Sequence, residues 1–286
     1  MASLKAIRKR ITSVKSTQKI TKAMKMVSAA KLRRAQDAAT SARPYAEKLT
    51  GLLHNVAARV EGAAHPLLER RDEVRTIHLL MVTADRGLCG GYNSNIIRKT
   101  EQFLNEHGRD RVQLTIVGRR GFDYFKRRPV TIAEKHINLF GGPNSELARR
   151  IGEQLAREFA EGRTDAVYVV YNQFRSALVQ VPTLQPILPI ASEATAGTGS
   201  TDYRYEPDAA ALLDRLLRQY ITVLIHRAFL EAIASEHGAR MTAMDSATSN
   251  ASDMINRLTL EMNRARQATI TKELMEIVGG AEALKG

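Results

Sequence analysis

After Pro207 the chain contains no proline as far as Val278, and apolar residues recur along this stretch at alternating three- and four-residue steps, from Leu213 through Leu216, Tyr220 and Val223 to Met262 and Ala265. That spacing places them in one stripe of a helix, with Arg227 and His237 as the plain interruptions. An unbroken helix over this span is on the order of 100 Å long. No domain of 286 residues buries such an element along its whole length. The competing arrangement is two helices broken near Gly238, since glycine in a helix interior costs about 1 kcal/mol. Pro207 and Asp208 suit the first turn, and Gly279-Gly280 is the expected stop.

The other end of the chain has the same character. Residues 1–60 hold a single proline, Pro44. Leu4, Ile7, Ile11 and Val14 form a stripe, and Ile20, Met24 and Val27 resume it one residue out of phase, which predicts a loosely wound seam. The opposite face carries Lys5, Arg8, Lys9, Lys15, Lys19, Lys22, Lys25, Lys31, Arg33 and Arg34, with no acidic residue before Asp37. Two helical ends, each exposing an apolar seam, are predicted to cover one another as a long antiparallel coiled coil. From Met241 to Thr269 the second seam is rich in small and flexible side chains, which allow close approach.

Between them, residues 74–195 alternate strand with helix. Thr76–Thr83, Val112–Gly118, Val130–Ile137 and Ala166–Tyr171 read as strands; residues 94–105, 121–127 and 145–160 read as helices. This is the pattern of an open, mostly parallel, Rossmann-like sheet, so the fold class is α/β with a coiled coil attached. Val179–Ile190 contains Pro182, Pro186 and Pro189, which limits it to an edge strand or hairpin arm. Ala191–Ser200 reads as a loop. The expected regions are 1–60, 74–195 and 207–286.

The formal charge of +13 calls for an acidic partner. No apolar run approaches a membrane span, and the basic residues near the N-terminus interrupt any signal-like segment. Cys89 is the only cysteine, and the seven histidines, among them His54, His65 and His237, lack metal-ligand spacing, so neither a metal nor a cofactor is expected. Asp85-Arg86-Gly87-Leu88-Cys89-Gly90-Gly91-Tyr92-Asn93 follows a strand and precedes a helix, where a phosphate cradle would sit. It lacks the dinucleotide spacing and reads as a structural turn. No GxxxxGK[ST] loop occurs and no catalytic group can be assigned. A basic coiled coil leaves nucleic-acid binding as the alternative function, although the basic helix has no aromatic residue before Tyr45.

Three stretches together resemble the gamma subunit of the F-type, rotary ATP synthases. They are Ile7–Arg34, with Thr17-Gln18-Lys19-Ile20-Thr21-Lys22-Ala23-Met24-Lys25-Met26-Val27 inside it; Thr83–Gly91; and Ala265–Ala281, with Ile270-Thr271-Lys272-Glu273 before Gly279-Gly280-Ala281. Residues 191–203 are the least family-like. The resemblance implies a non-catalytic rotor shaft of a proton-translocating enzyme, present as a single copy, with its terminal helices inside a ring of alpha and beta subunits that holds the nucleotide sites. It implies an epsilon subunit and a membrane c-ring as further partners, no nucleic acid, and a peripheral location on the cytoplasmic face of the bacterial inner membrane. Residue by residue, it implies that Lys22, Met24 and Lys25 face a beta-subunit loop, and that Arg240, Arg266, Gln267 and Thr271 meet beta-subunit groups.

Overall fold

The computed structural model describes residues 4–57, 65–138, 145–190 and 209–283. The expectations for Pro207 and Asp208, and for the loop Ala191–Ser200, lie outside the described residues. Two compact units result, one of Met1–Val27 with Met241–Gly286 and one of Ser28–Arg240.

Both long helices form. Helix α1 spans Leu4–Ala57 and runs through Pro44, whose side chain is exposed. The carbonyl that a proline leaves without its helical donor can bond to water on such a face. The seam of α1 is more regular than the apolar residues indicate. It passes through Ile7, Ile11, Val14, Gln18, Thr21, Lys25, Ser28, Leu32 and Ala35 in unbroken four- and three-residue steps, each residue buried or half-buried. Ile20 and Val27, expected on the seam, are 57% and 55% exposed. The phase shift was an artefact of following apolarity where polar residues occupy the core positions.

In the Ser28–Arg240 unit, strands β1 (Ile77–Val82), β2 (Val112–Val117), β3 (Thr131–His136), β4 (Ala166–Phe174) and β5 (Gln180–Leu188) form one sheet in the order β3-β2-β1-β4-β5. The first four are parallel and β5 is antiparallel at the edge. An edge is where its prolines, lacking a donor, do least damage to the ladder. Every residue of β1 is buried, because the sheet is covered on both faces. On one face Leu79, Met81, Leu114 and Ile116 pack under helix α2 (Tyr92–His107) and Phe125 of helix α3 (Arg119–Phe125). On the other, Leu80, Val82, Val167 and Val169 pack under helix α4 (Ser145–Ala160), Leu53 and Val56 of α1, and the first half of helix α5 (Ala209–Ala283).

Helix α5 is continuous from Ala209 to Ala283. Two expectations change. In its first half the buried row is Leu213, Leu217, Ile221, Ile225 and Phe229, whereas Leu216, Tyr220 and Val223 are only partly buried. The sheet side, with the larger apolar surface, selects the face. The Gly279-Gly280 pair does not end the helix: a Cβ at either glycine would meet nothing within 4 Å, so no packing imposes a turn. Gly238 does not break it either. There a Cβ would lie 3.3 Å from both the Ala177 Cα and the Phe174 ring, so the missing side chain lets the β4–β5 hairpin touch the helix.

Candidate functional site

Within the Met1–Val27 and Met241–Gly286 unit, α1 and α5 pair directly. Ile7 and Ile11 pack on Leu258, flanked by Val14, Met262 and Ala265. Three polar layers follow. Gln18 Nε2 donates to Ser252 Oγ at 2.6 Å, the Thr21 and Thr248 hydroxyls are 2.7 Å apart, and Lys25 Nζ meets Asp245 Oδ1 at 2.6 Å. From Met244 through Thr248, Ala251, Ile255, Leu258 and Met262 to Ala265, the seam of α5 follows the expected steps.

Among the expected contact residues, Lys22 is exposed, Met24 is half-buried, and Lys25 is engaged by Asp245 with 41% of its side chain accessible. Arg266, Gln267 and Thr271 are exposed, as is every residue from Arg266 to Gly280. That stretch includes Ile270, Leu274, Met275, Ile277 and Val278, a helical end whose apolar side chains are uncovered within this chain.

Arg240 is placed differently. It belongs to the Ser28–Arg240 unit, is 8% exposed, and forms a buried ion pair with Glu236 at 2.7 Å. Its Nη2 also donates to the Gly87 carbonyl at 3.3 Å. Burial pushes the Glu236 carboxyl up despite Arg240, and burial, with Arg240 and Lys31 nearby, holds His237 down at about 4.

Gly87 lies in the turn first considered as a phosphate cradle. Asp85 Oδ1 accepts from the Arg119 and Asn138 amides, both at 2.9 Å, and Asn93 Oδ1 accepts from the Ala84 amide at 2.9 Å. Gly118, at φ 99°, passes so close that a Cβ there would lie 2.1 Å from the Thr83 carbonyl oxygen. The turn thus turns a carbonyl, not a set of amides, toward the Arg240 cation. In doubly wound sheets, ligands sit beyond the carboxyl ends of the strands where the strand order reverses, here between β1 and β4. In this chain α5 occupies that crevice: Ala239 packs with Ala84, Cys89 and Tyr92, Tyr92 Oη donates to the Ala232 carbonyl at 3.1 Å, and Ser235 Oγ donates to the Asn172 carbonyl at 2.8 Å. Burial raises the Cys89 thiol, the wrong direction for a nucleophile. Among the described residues no cluster of His, Cys, Asp or Glu could hold a metal, and no helix is long and apolar enough to cross a membrane.

A family model described as ATP synthase matches residues 3–284. A protein of Anaeromyxobacter sp. (strain Fw109-5) named ATP synthase gamma chain is 52% identical, with all of both chains covered. The chain belongs to the ATP synthase gamma-chain family. A second relative of the same name, from Moorella thermoacetica, is 50% identical over all of both chains. Among solved structures, a chain of the Tetrahymena thermophila mitochondrial ATP synthase central stalk and c-ring is 26% identical, with a TM-score of 0.61, covering 80% of this chain and 99% of that one. A chain of the Euglena gracilis mitochondrial ATP synthase shares the fold at 20% identity and a TM-score of 0.68, covering 98% and 94%. Gamma chains of this family are central-stalk components and not the catalytic subunits, and nothing in the comparisons favours nucleic-acid binding.

Proposed function

We propose that this chain is the central rotor shaft of a proton-translocating ATP synthase, turning inside a ring of alpha and beta subunits and resting on the membrane c-ring and an epsilon subunit. It acts on the cytoplasmic face of the bacterial inner membrane as a peripheral, single-copy component. The observation that carries the reading is the helical end Arg266–Gly280, exposed on every side with five large apolar residues on its surface. Such an end requires a sleeve, and a sleeve that grips it apolarly, without directional bonds, allows it to turn. Arg266, Gln267 and Thr271 sit where that sleeve would touch.

Lower on the same unit, Lys22 and Met24 are the side chains free to meet a beta-subunit loop, with Lys25 contributing the charge that Asp245 leaves accessible. Spread, exposed cationic charge gives attraction without a fixed register, which suits a bearing. Arg240 contributes from within the chain, by fixing the base of the helix that continues at Met241.

Reconstitution tests the reading. The purified chain alone should hydrolyse no ATP, and its addition to separately prepared alpha and beta subunits should produce an assembled ring with multisite hydrolysis. Removing residues 266–286 should weaken assembly. Failure of the full chain to join the ring would overturn the proposal.

A further inference from the structure

Apolar burial along the first half of α5 is extensive, yet it is non-directional and resists sliding or twisting poorly. Hydrogen bonds are directional and fix position. In the Ser28–Arg240 unit two such bonds lie near the start of α5, His65 with Asp214 and Tyr45 with Gln219, and three more reach one short buried segment, Ala232–Arg240. On one side the turn after β1 grips it: Tyr92 Oη donates to the Ala232 carbonyl, and Arg240, paired to Glu236, donates to the Gly87 carbonyl. On the other side β4 and its hairpin grip it: the Asn172 carbonyl accepts from Ser235 Oγ, and Phe174 and Ala177 seat against the surface bared by Gly238. Asn172 Nδ2 donates to the Tyr92 carbonyl at 3.0 Å and so ties the two jaws together. Tyr92, Asn172 and Ser235 are all within 3% of complete burial.

We infer that this clamp, built in the crevice where related sheets hold ligands, is the joint that carries torque between the sheet and the shaft helix, with Tyr92, Asn172, Ser235 and Arg240 as its positioning residues. The inference rests on the rotor reading above. Because α5 continues without interruption from this segment to Ala283, a helix free to slip or twist at Ala232–Arg240 transmits less of any torque applied to the sheet.

The test uses the complete enzyme in inverted membrane vesicles carrying Tyr92→Phe and Ser235→Ala together, two changes that keep shape and remove the two hydroxyl pins. ATP hydrolysis with an uncoupler present, where the shaft turns against little load, should stay within about twofold of the parent. Proton pumping per ATP against a full gradient should fall about fivefold or more, fivefold being the low end of the range for losing two net hydrogen bonds. A general loss of stability has no reason to depend on load. Adding Ala239→Cys places a thiol in the same buried cluster as Cys89. Oxidation to a bridge, verified by mass, should restore the pumping ratio, and reduction should abolish it again. Unchanged pumping at full load, or equal losses with and without load, would overturn the joint. If instead the parent complex neither assembles nor pumps, the rotor reading itself fails.

Discussion

In the helical unit, α1 and α5 meet through three polar layers and a small cluster of Ile7, Ile11 and Leu258, and the side chains of the Lys25–Asp245 pair are 41% and 60% exposed. In the sheet-bearing unit, the side chains that close the structure are sealed: Leu79, Leu80, Phe103, Phe159 and Phe229 are nearly or fully inaccessible, and the side chains of the Glu236–Arg240 pair are 8% and 10% exposed. The first unit has little to lose from any one contact, and the second has much. A shaft that must keep a defined register without gripping a surrounding surface is served by the first design. A base that must accept load without creeping is served by the second.

The largest separation between the two comes from the core. Phe159 is fully buried on α4, with the Arg71 guanidinium 5.1 Å over its ring. Phe159→Ala should destabilise the chain by about 3–5 kcal/mol, measured by denaturant unfolding.

A smaller effect tests the closure at the amino ends of β1 and β4. Burial works to raise the Asp165 carboxyl, but the Thr76 and Arg75 amides and the Arg71 guanidinium outweigh it and hold the pKa below its ordinary 3.8. A carboxylate lowered on folding stabilises the fold above its unfolded value, and that contribution is lost as pH falls through the folded one. Unfolding between pH 5 and 2, limits taken as roughly spanning that titration, should therefore show a steeper acid loss for the parent than for Asp165→Asn, which starts less stable and has less to lose.

The polar layers should respond more weakly still. Thr21→Val with Thr248→Val replaces both partners of one hydrogen bond by isosteric apolar groups and should change stability by no more than about 1 kcal/mol, with stabilisation as acceptable an outcome as neutrality. Asp245→Ala, at an exposed ion pair, should cost at most about 0.5 kcal/mol and cost less in high salt. A loss of several kcal/mol in either variant would erase the contrast between the units.

These layers also mark where sequence reasoning stopped. The element order, the mostly parallel sheet, the edge position of the proline-bearing strand and the two long helices are local patterns of spacing and composition, and each could be read directly. Thr21 and Ser28 could not be placed on the seam, because the partner that makes Thr21 acceptable there, Thr248, is 227 residues away. The choice of Leu217 and Ile221 over Leu216 and Tyr220 follows from a sheet surface that only the folded chain presents. Arg240 was named only through the resemblance, and its neighbours in sequence do not disclose its contact with the Gly87 carbonyl. A break near Gly238 was the competing arrangement to one continuous helix, because a close approach and a flexible point share one residue type. The exposed end beyond Ala265 was legible as helix and as family signature, whereas its exposure on all sides required knowing where α1 begins.

The measurement that reaches the rotor claim most directly is a reversible tether between shaft and ring. Lys22, exposed and outside the Lys25–Asp245 pair, is the better attachment point. Cys89 is buried, so Cys89→Ala removes the native thiol without burying a hydroxyl. In that background Lys22→Cys is paired with an engineered cysteine on the facing beta-subunit loop, chosen so that the alpha carbons come within about 7 Å. Rotation predicts that oxidation stops multisite ATP hydrolysis while nucleotide binding persists, and that reduction restores turnover. Full hydrolysis with the bridge demonstrably formed would contradict a turning shaft.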